Sequence, residues 1–404
     1  MVTDRFLTYV AFDTTSDETS ESVPSTAKQK KLAAHLAREL AEAGLTDAVV
    51  DENGYVYAHL PASAGRENDP TLALIAHMDT SPSASGAGVS PRRVLYRGGA
   101  VTLENGVEIS PETTPELSAL AGQTLIVTDG NTLLGADDKA GVAEIMETAA
   151  LLAADPARSH PRIAVCFTPD EEIGRGADHI DLARLDADFG YTVDGGALGE
   201  IEYENFNAAG ATVVFHGVNI HPGSAKGVMK NACLMARDFL DRLPREEDPA
   251  HTEGYEGFYH VTGMTGDETH AEVHLILRDH DRSLFEEKKA AVRRIAADVE
   301  ALWGQGTVTC SVCDSYYNMK EKILPHMFLI EEAKNAMAAC GVTPKVQPIR
   351  GGTDGARLSY MGLPCPNLST GGINFHSVRE FIPERSLSVM VEVLLRLTAG
   401  IFTN

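Results

Sequence analysis

Four short clusters of acidic and histidine residues, each directly behind an apolar run, constrain this chain more than any other feature. They are His77-Met78-Asp79 after the run LALIA, Asp137-Asp138-Lys139 in LLGADDKAG, Glu171-Glu172 in VCFTPDEEIG, and Asp194 in YTVDGG. Short apolar runs bounded by turn residues read as buried strands. Between them lie stretches of helical character, one at residues 25–43, where Leu32, Leu36 and Leu40 precede Gly44, and one at residues 141–154. Strand alternating with helix predicts an α/β layer with a largely parallel sheet, its strands at 72–76, 124–128 and 163–167. In such a sheet ligands gather beyond the carboxyl ends of the strands, so the four clusters are expected to converge there. Singly, each is an ordinary solvated charge. Four at successive strand ends are not explained by surface composition.

After Phe206 the rhythm changes. Strands are expected near 211–215, 258–261, 271–278 and 307–312, with helices over 229–243 and 283–303, the second opened by a capping box of Ser283 with Glu286 and stopped by Gly304. The order βαββαβ is that of a ferredoxin-like sandwich. It predicts an inserted domain at 207–314 within a discontinuous body of residues 1–206 and 315–404, closed by helices over 331–339 and 387–398. The length of 404 residues is ample for two such cores.

Composition narrows the partners. With 34 Lys and Arg against 58 Asp and Glu, the formal charge is −24, which disfavours nucleic acid and anionic lipid. No apolar run approaches the ~18 residues of a spanning helix, and MVTDRFLTYVAFDTT lacks the apolar core of a signal peptide. The expected location is the cytoplasm. Six scattered cysteines do not make a disulfide framework. Cys310 and Cys313 form a single C-x-x-C inside a strand-like run, without the second pair of a zinc ribbon, so burial is the expectation for them.

The residue types suit a cation site. On an extended segment, residues two apart share a side, so Asp79 can hold the ring of His77 and decide which nitrogen faces a metal. Of two adjacent glutamates, one can bind the cation while its neighbour moves protons. An exposed acidic corner is the plain alternative for such a pair.

Nearly the whole chain resembles the peptidase T family, tripeptide aminopeptidases among the two-zinc metallopeptidases related to aminoacylase and glutamate carboxypeptidase. GADDKAG and the double glutamate carry the wider likeness. VPSTAKQ, HMDTSP, NIHPGSAKGVMKNA, TEGYEGFYH, DSYYNM, IRGGTDGARLSYMGLPCPN and GGINFHSVREFI carry the narrower one. The resemblance implies a two-zinc catalytic domain with an inserted lid and dimerisation domain. It implies His77, Asp137, Glu172, Asp194 and His376 as ligands of two zinc ions, Asp137 bridging, Asp79 behind His77, Glu171 as general base, and a cis peptide between Asp137 and Asp138. Two Zn²⁺ balance three carboxylates and one hydroxide, leaving the centre about neutral. The implied reaction is hydrolysis of the first peptide bond of a tripeptide by metal-bound hydroxide. His221 is implied to stabilise the oxyanion and Arg278 to grip the substrate's C-terminal carboxylate, with Arg350 as a second anchor. Arg278 also falls on the strand face opposite the apolar set Ala271, Val273, Leu275 and Leu277. A homodimer is implied as well. One departure stands out: Ser83-Ala84 follows HMDTSP where relatives carry an acidic and aromatic pair, which predicts a change in side-chain preference. The rival readings are a two-zinc amidohydrolase acting on dipeptides or acyl-amino acids, a two-metal phosphoesterase, and a non-enzymatic metal-binding scaffold.

Overall fold

The computed structural model describes residues 1–400. These divide into two compact units: Met1–Tyr203 with 319–347 and the chain from Thr353 onward, and Glu204–Asn318 with Pro348–Gly352. The smaller unit thus runs a few residues beyond 207–314 at both ends and takes up a distant five-residue segment.

The first unit is built on an eight-stranded sheet ordered Val49–Val50, Val56–Leu60, Ile163–Thr168, Leu72–His77, Phe189–Gly195, Asn367–Ser369, Glu200–Glu202, Lys345–Val346. Its centre is parallel: Leu72–His77 pairs in parallel with both Ile163–Thr168 and Phe189–Gly195, and the latter with Asn367–Ser369. Leu72–His77 and Ile163–Thr168 are buried at every position, as strands covered on both faces must be. Register sets their ends level, with His77 beside Thr168 and Ile75 beside Thr192, so His77 and Asp194 lie at the same edge of the sheet. Helix Ala136–Ala154 packs against this centre, and Gly141 permits the close approach: a Cβ there would fall 1.9 Å from the Val193 carbonyl oxygen.

Three expectations change here. Thr124–Val127 is a strand, but it belongs to a separate antiparallel sheet with Arg92–Leu95 and Phe381–Pro383. An apolar run reports burial and not which sheet buries it. The helix predicted from residue 25 begins at Gln29, because Ser25 gives its backbone N–H and hydroxyl to Asp170 and not to a helix turn. Helix Val2–Tyr9, buried through Val2, Phe6 and Tyr9, adds an element to those expected.

The second unit is a four-stranded antiparallel sheet ordered Phe258–Gly266, His270–Asp279, Asn207–His216, Val308–Tyr316, with helices Ala232–Leu240 and Arg282–Trp303. Sequence order and strand order together give the ferredoxin-like sandwich. Its core joins Val213, Phe215, Val273, Leu275 and Leu277 to Phe239, Phe285 and Val292. The long helix is capped by Asp281, whose side chain accepts from the Ser283 and Leu284 N–H groups, so the cap sits two residues before the expected Ser283. Cys310 is half-buried and Cys313 exposed. Three residues apart on a strand, they point to opposite faces, and burial holds only in part for one of them.

Glu144, on helix Ala136–Ala154, is fully buried, and neither carboxylate oxygen has a hydrogen-bond partner among the described residues. Burial pushes its acid well above the ordinary range. The folded state therefore holds a proton that the unfolded chain gives up, and stability falls as pH rises from the ordinary glutamate value toward the raised one. Glu144→Leu should stabilise the protein by about 1–3 kcal/mol at pH 8 and by less at pH 5. Calorimetric melting of both proteins across that range checks this; a gap in Tm that does not widen with pH contradicts it.

Candidate metal centre

The sheet edge collects the four clusters and adds His376. His77 ends its strand, and its Nε2 lies 2.9 Å from Asp137 Oδ1 and 3.2 Å from Asp194 Oδ1. The second oxygen of Asp137 is 3.0 Å from His376 Nε2, which also lies 2.8 Å from Glu172 Oε2. Two triads of ligand-type atoms result, His77 with Asp137 and Asp194, and Asp137 with Glu172 and His376, and Asp137 is common to both. Asp137 reaches this position from the start of the helix Ala136–Ala154, where it and Asp138 have non-helical backbone angles and the peptide between them is cis. His376 is itself left-handed, with φ 59, in an irregular loop.

Asp79 is fully buried. His77 Nδ1 lies 3.1 Å from the Asp79 backbone carbonyl and 3.3 Å from one of the Asp79 carboxylate oxygens. Its carboxylate also accepts the backbone N–H groups of Glu171, at 3.0 Å, and of Glu172, at 3.2 Å. It therefore steadies the first imidazole and the glutamate turn together. Glu171 belongs to neither triad, and its Oε2 stands 4.0 Å from His77 Nε2.

The arrangement calls for positive charge. His77 meets acceptors at both ring nitrogens, Asp79 at Nδ1 and Asp137 and Asp194 at Nε2, and a neutral imidazole can donate from only one of them. With Nδ1–H given to Asp79, the Nε2 lone pair faces carboxylates unless a cation lies between. Burial works against a charged His77, but Asp194, Asp137 and Asp79 prevail and hold its pKa well above the ordinary value. Hydrogen bonds to Asp137 and Glu172 push His376 up to about 11. Burial, with Asp137 nearby, pushes Glu172 up to about 8, and burial pushes Asp194 to about 6. Glu172 Oε1 is buried without a hydrogen-bond partner among the described residues. Imidazole and carboxylate donors in this number fit two divalent cations of the zinc type.

Four further carboxylates stand around the centre, none of them among the expected ligands or catalytic residues. Asp138 accepts the His77 backbone N–H at 3.1 Å and the Gly141 N–H at 3.2 Å. Glu380 accepts three, from Leu134, Gly135 and Asp137, and so fixes the loop that delivers the shared carboxylate. Asp354 takes the Thr168 hydroxyl at 3.0 Å and lies against Gly176, where a Cβ would meet it at 2.2 Å. Asp170, immediately before Glu171, is buried. All four sit inside quoted motifs, but a carboxylate that serves backbone N–H groups has no spacing signature of its own.

The remaining expected residues lie on the smaller unit. His221 is exposed, and its Nδ1 accepts the Gly223 N–H at 3.1 Å, which leaves Nε2 as the protonated nitrogen of a neutral ring. Arg278 donates to the carbonyls of Ala209 and Leu277 and lies 5.4 Å over the Tyr316 ring. It makes no ion pair with Glu272 or Asp279. Arg350 donates to the carbonyls of Gly254, Glu256 and Thr252 and lies over Phe206 and Phe258, so its guanidinium braces the 252–256 loop.

Among the described residues no helix is long and apolar enough to cross a membrane. Residues 128–399 match the model of peptidase family M20/M25/M40. A peptidase T of Parabacteroides distasonis is 51% identical over 398 residues, 98% of each chain. Among solved structures, the aminopeptidase PepT of Bacillus cereus superposes with a TM-score of 0.78 at 22% identity, covering 100% of this chain and 98% of that one. The YXEP protein of Bacillus subtilis, described as a dinuclear metal-binding peptidase of the M20 family, gives 0.65 at 15% identity, covering 99% and 97%. Half of all positions shared over the full length, on a matching fold, place the chain in peptidase family M20/M25/M40, within its peptidase T branch, as a hydrolase of the aminopeptidase kind.

Proposed function

We propose that the chain is a zinc-dependent aminopeptidase that removes the N-terminal residue from tripeptides. The observation that supports it most is the Asp137 carboxylate, one oxygen 2.9 Å from His77 Nε2 and the other 3.0 Å from His376 Nε2. His77, Asp137 and Asp194 would hold one ion, and Asp137, Glu172 and His376 the other. Bound there, the ions supply a Lewis acid for the scissile carbonyl and lower the pKa of water. Glu171 takes the proton from the attacking water and returns it to the leaving amine, so the C–N bond breaks with one water consumed. Asp79 keeps the Nδ1 proton of His77 in place. His221 is the proposed oxyanion donor, through Nε2–H, and Arg278 the proposed anchor for the substrate's C-terminal carboxylate. Arg350, whose guanidinium also donates to the carbonyls of Gly254, Glu256 and Thr252, is the proposed second anchor.

Metal analysis with a panel of tripeptides, dipeptides and acyl-amino acids tests this reading. Two zinc ions per chain and a preference for tripeptides are expected, whereas a preference for acyl-amino acids would make the enzyme an amidohydrolase of the same family. Amidating the C-terminus of a good tripeptide should lower kcat/KM by roughly 10- to 100-fold, the effect of losing a charged bidentate partner. An unchanged value removes Arg278 from the scheme.

A further inference from the structure

The motif VPSTAKQ has no part in the chemistry above, yet its side chains reach the residue next to the proposed general base. Asp170 is 2% exposed and left-handed, with φ 58 and ψ 24. Its carboxylate accepts three hydrogen bonds, all from the N-terminal segment: the Ser25 N–H at 2.6 Å, the Ser25 hydroxyl at 2.5 Å and Gln29 Nε2 at 2.6 Å. Gln29 Oε1 in turn accepts the Asp170 N–H at 3.3 Å, and the Asp170 carbonyl accepts from Arg175 N–H at 2.9 Å. The left-handed region is uncommon for a residue other than glycine and persists where the surroundings dictate it. Here the surroundings are Ser25 and Gln29.

The same segment reaches two other turns of the centre. Ser16 N–H donates to the Thr80 carbonyl at 3.2 Å, just past Asp79, and Lys139 Nζ, just past Asp138, donates to the Phe12 carbonyl at 2.7 Å. The Glu171-Glu172 turn is thus held on one side by Asp79 and on the other by Asp170. We infer that Asp170 is a positioning residue for Glu171, and that Ser25 and Gln29 act on the reaction through it. The inference rests on the proposed role of Glu171, but the positioning itself is a statement about the turn.

Asp170→Asn places an amide N–H group against the Ser25 donors and breaks the set. In the zinc-loaded enzyme it is expected to lower kcat by about 10- to 100-fold. KM should stay within about twofold, with both metals retained. Gln29→Ala should lower kcat by less, and adding it to Asp170→Asn should cost nothing further, because the two act as one unit. Ser25→Ala, which keeps the backbone donor, should be the mildest of the three. Hydrogen exchange of the 170–176 amides, with metals bound, supplies a readout independent of turnover: it should quicken in Asp170→Asn without a matching fall in Tm. Fully additive losses, a kcat equal to wild type, or unchanged exchange at these amides would each overturn the inference. Wild-type protein inactive on every tripeptide would instead overturn the proposed function, and the exchange result would still decide the positioning.

Discussion

Glu171→Gln should lose at least about a thousandfold in kcat while KM for a tripeptide and the two bound metal ions stay near wild type. The amide matches the carboxylate in shape but cannot accept a proton. The backbone N–H groups of Glu171 and Glu172 keep their bonds to Asp79, so the turn has no reason to move. Metal content should hold because Glu171 lies outside both triads, 4.0 Å from the nearest ligand nitrogen. Burial, reinforced by Asp194, pushes the Glu171 carboxyl above the ordinary range. A base with a raised pKa loses its accepting form on the acid side, so the acid limb of the kcat profile belongs to it and should disappear in the variant. Steady-state kinetics beside metal analysis decides the matter. Residual turnover above a tenth of wild type would take the proton-transfer role from Glu171, and loss of a metal would make it a ligand.

The parts of this centre that the sequence made legible share one property: they lie on regular elements or immediately after them. His77 and Asp194 are strand-end residues, and the period-2 rule together with an apolar run is enough to place both at one sheet edge. Asp79 follows from the same rule. Asp137 was found as a motif but behind the wrong sheet, since Thr124–Val127 pairs antiparallel with Arg92–Leu95 and Phe381–Pro383. Its position depends on Glu380, nearly 250 residues away, accepting three loop N–H groups, and no local pattern encodes such a contact. His376, in an irregular loop with a left-handed backbone, came only from resemblance for the same reason. Ser25 shows how a local rule is overridden. As a helix-starting residue it is a good choice, but a buried carboxylate competes for both of its donors and the helix starts four residues later.

Asp137→Ala is expected to remove both metal ions together, and with them all measurable hydrolysis. Its carboxylate is the one ligand-type group common to the two triads, so the substitution leaves His77 with Asp194 on one side and Glu172 with His376 on the other. Two protein ligands are fewer than a tightly held zinc ion uses. Asp194→Ala makes the informative contrast: it thins one triad and leaves the other whole, so about one ion per chain should remain. Thermal melts separate the cases again. Zinc at about 100 times its Kd should stabilise the wild type by roughly 2.7 kcal/mol per site, and Asp137→Ala by none. The pH dependence has a definite sign. Glu172, pushed to about 8, and His376, pushed to about 11, must give up protons to become ligands, so zinc binding releases protons and tightens as pH rises. A weakening of zinc binding between pH 6 and 8 would contradict this assignment of ligands. An Asp137→Ala protein that keeps one ion as firmly as Asp194→Ala does would show that the carboxylate is not shared, and the two-metal reading would fall with it.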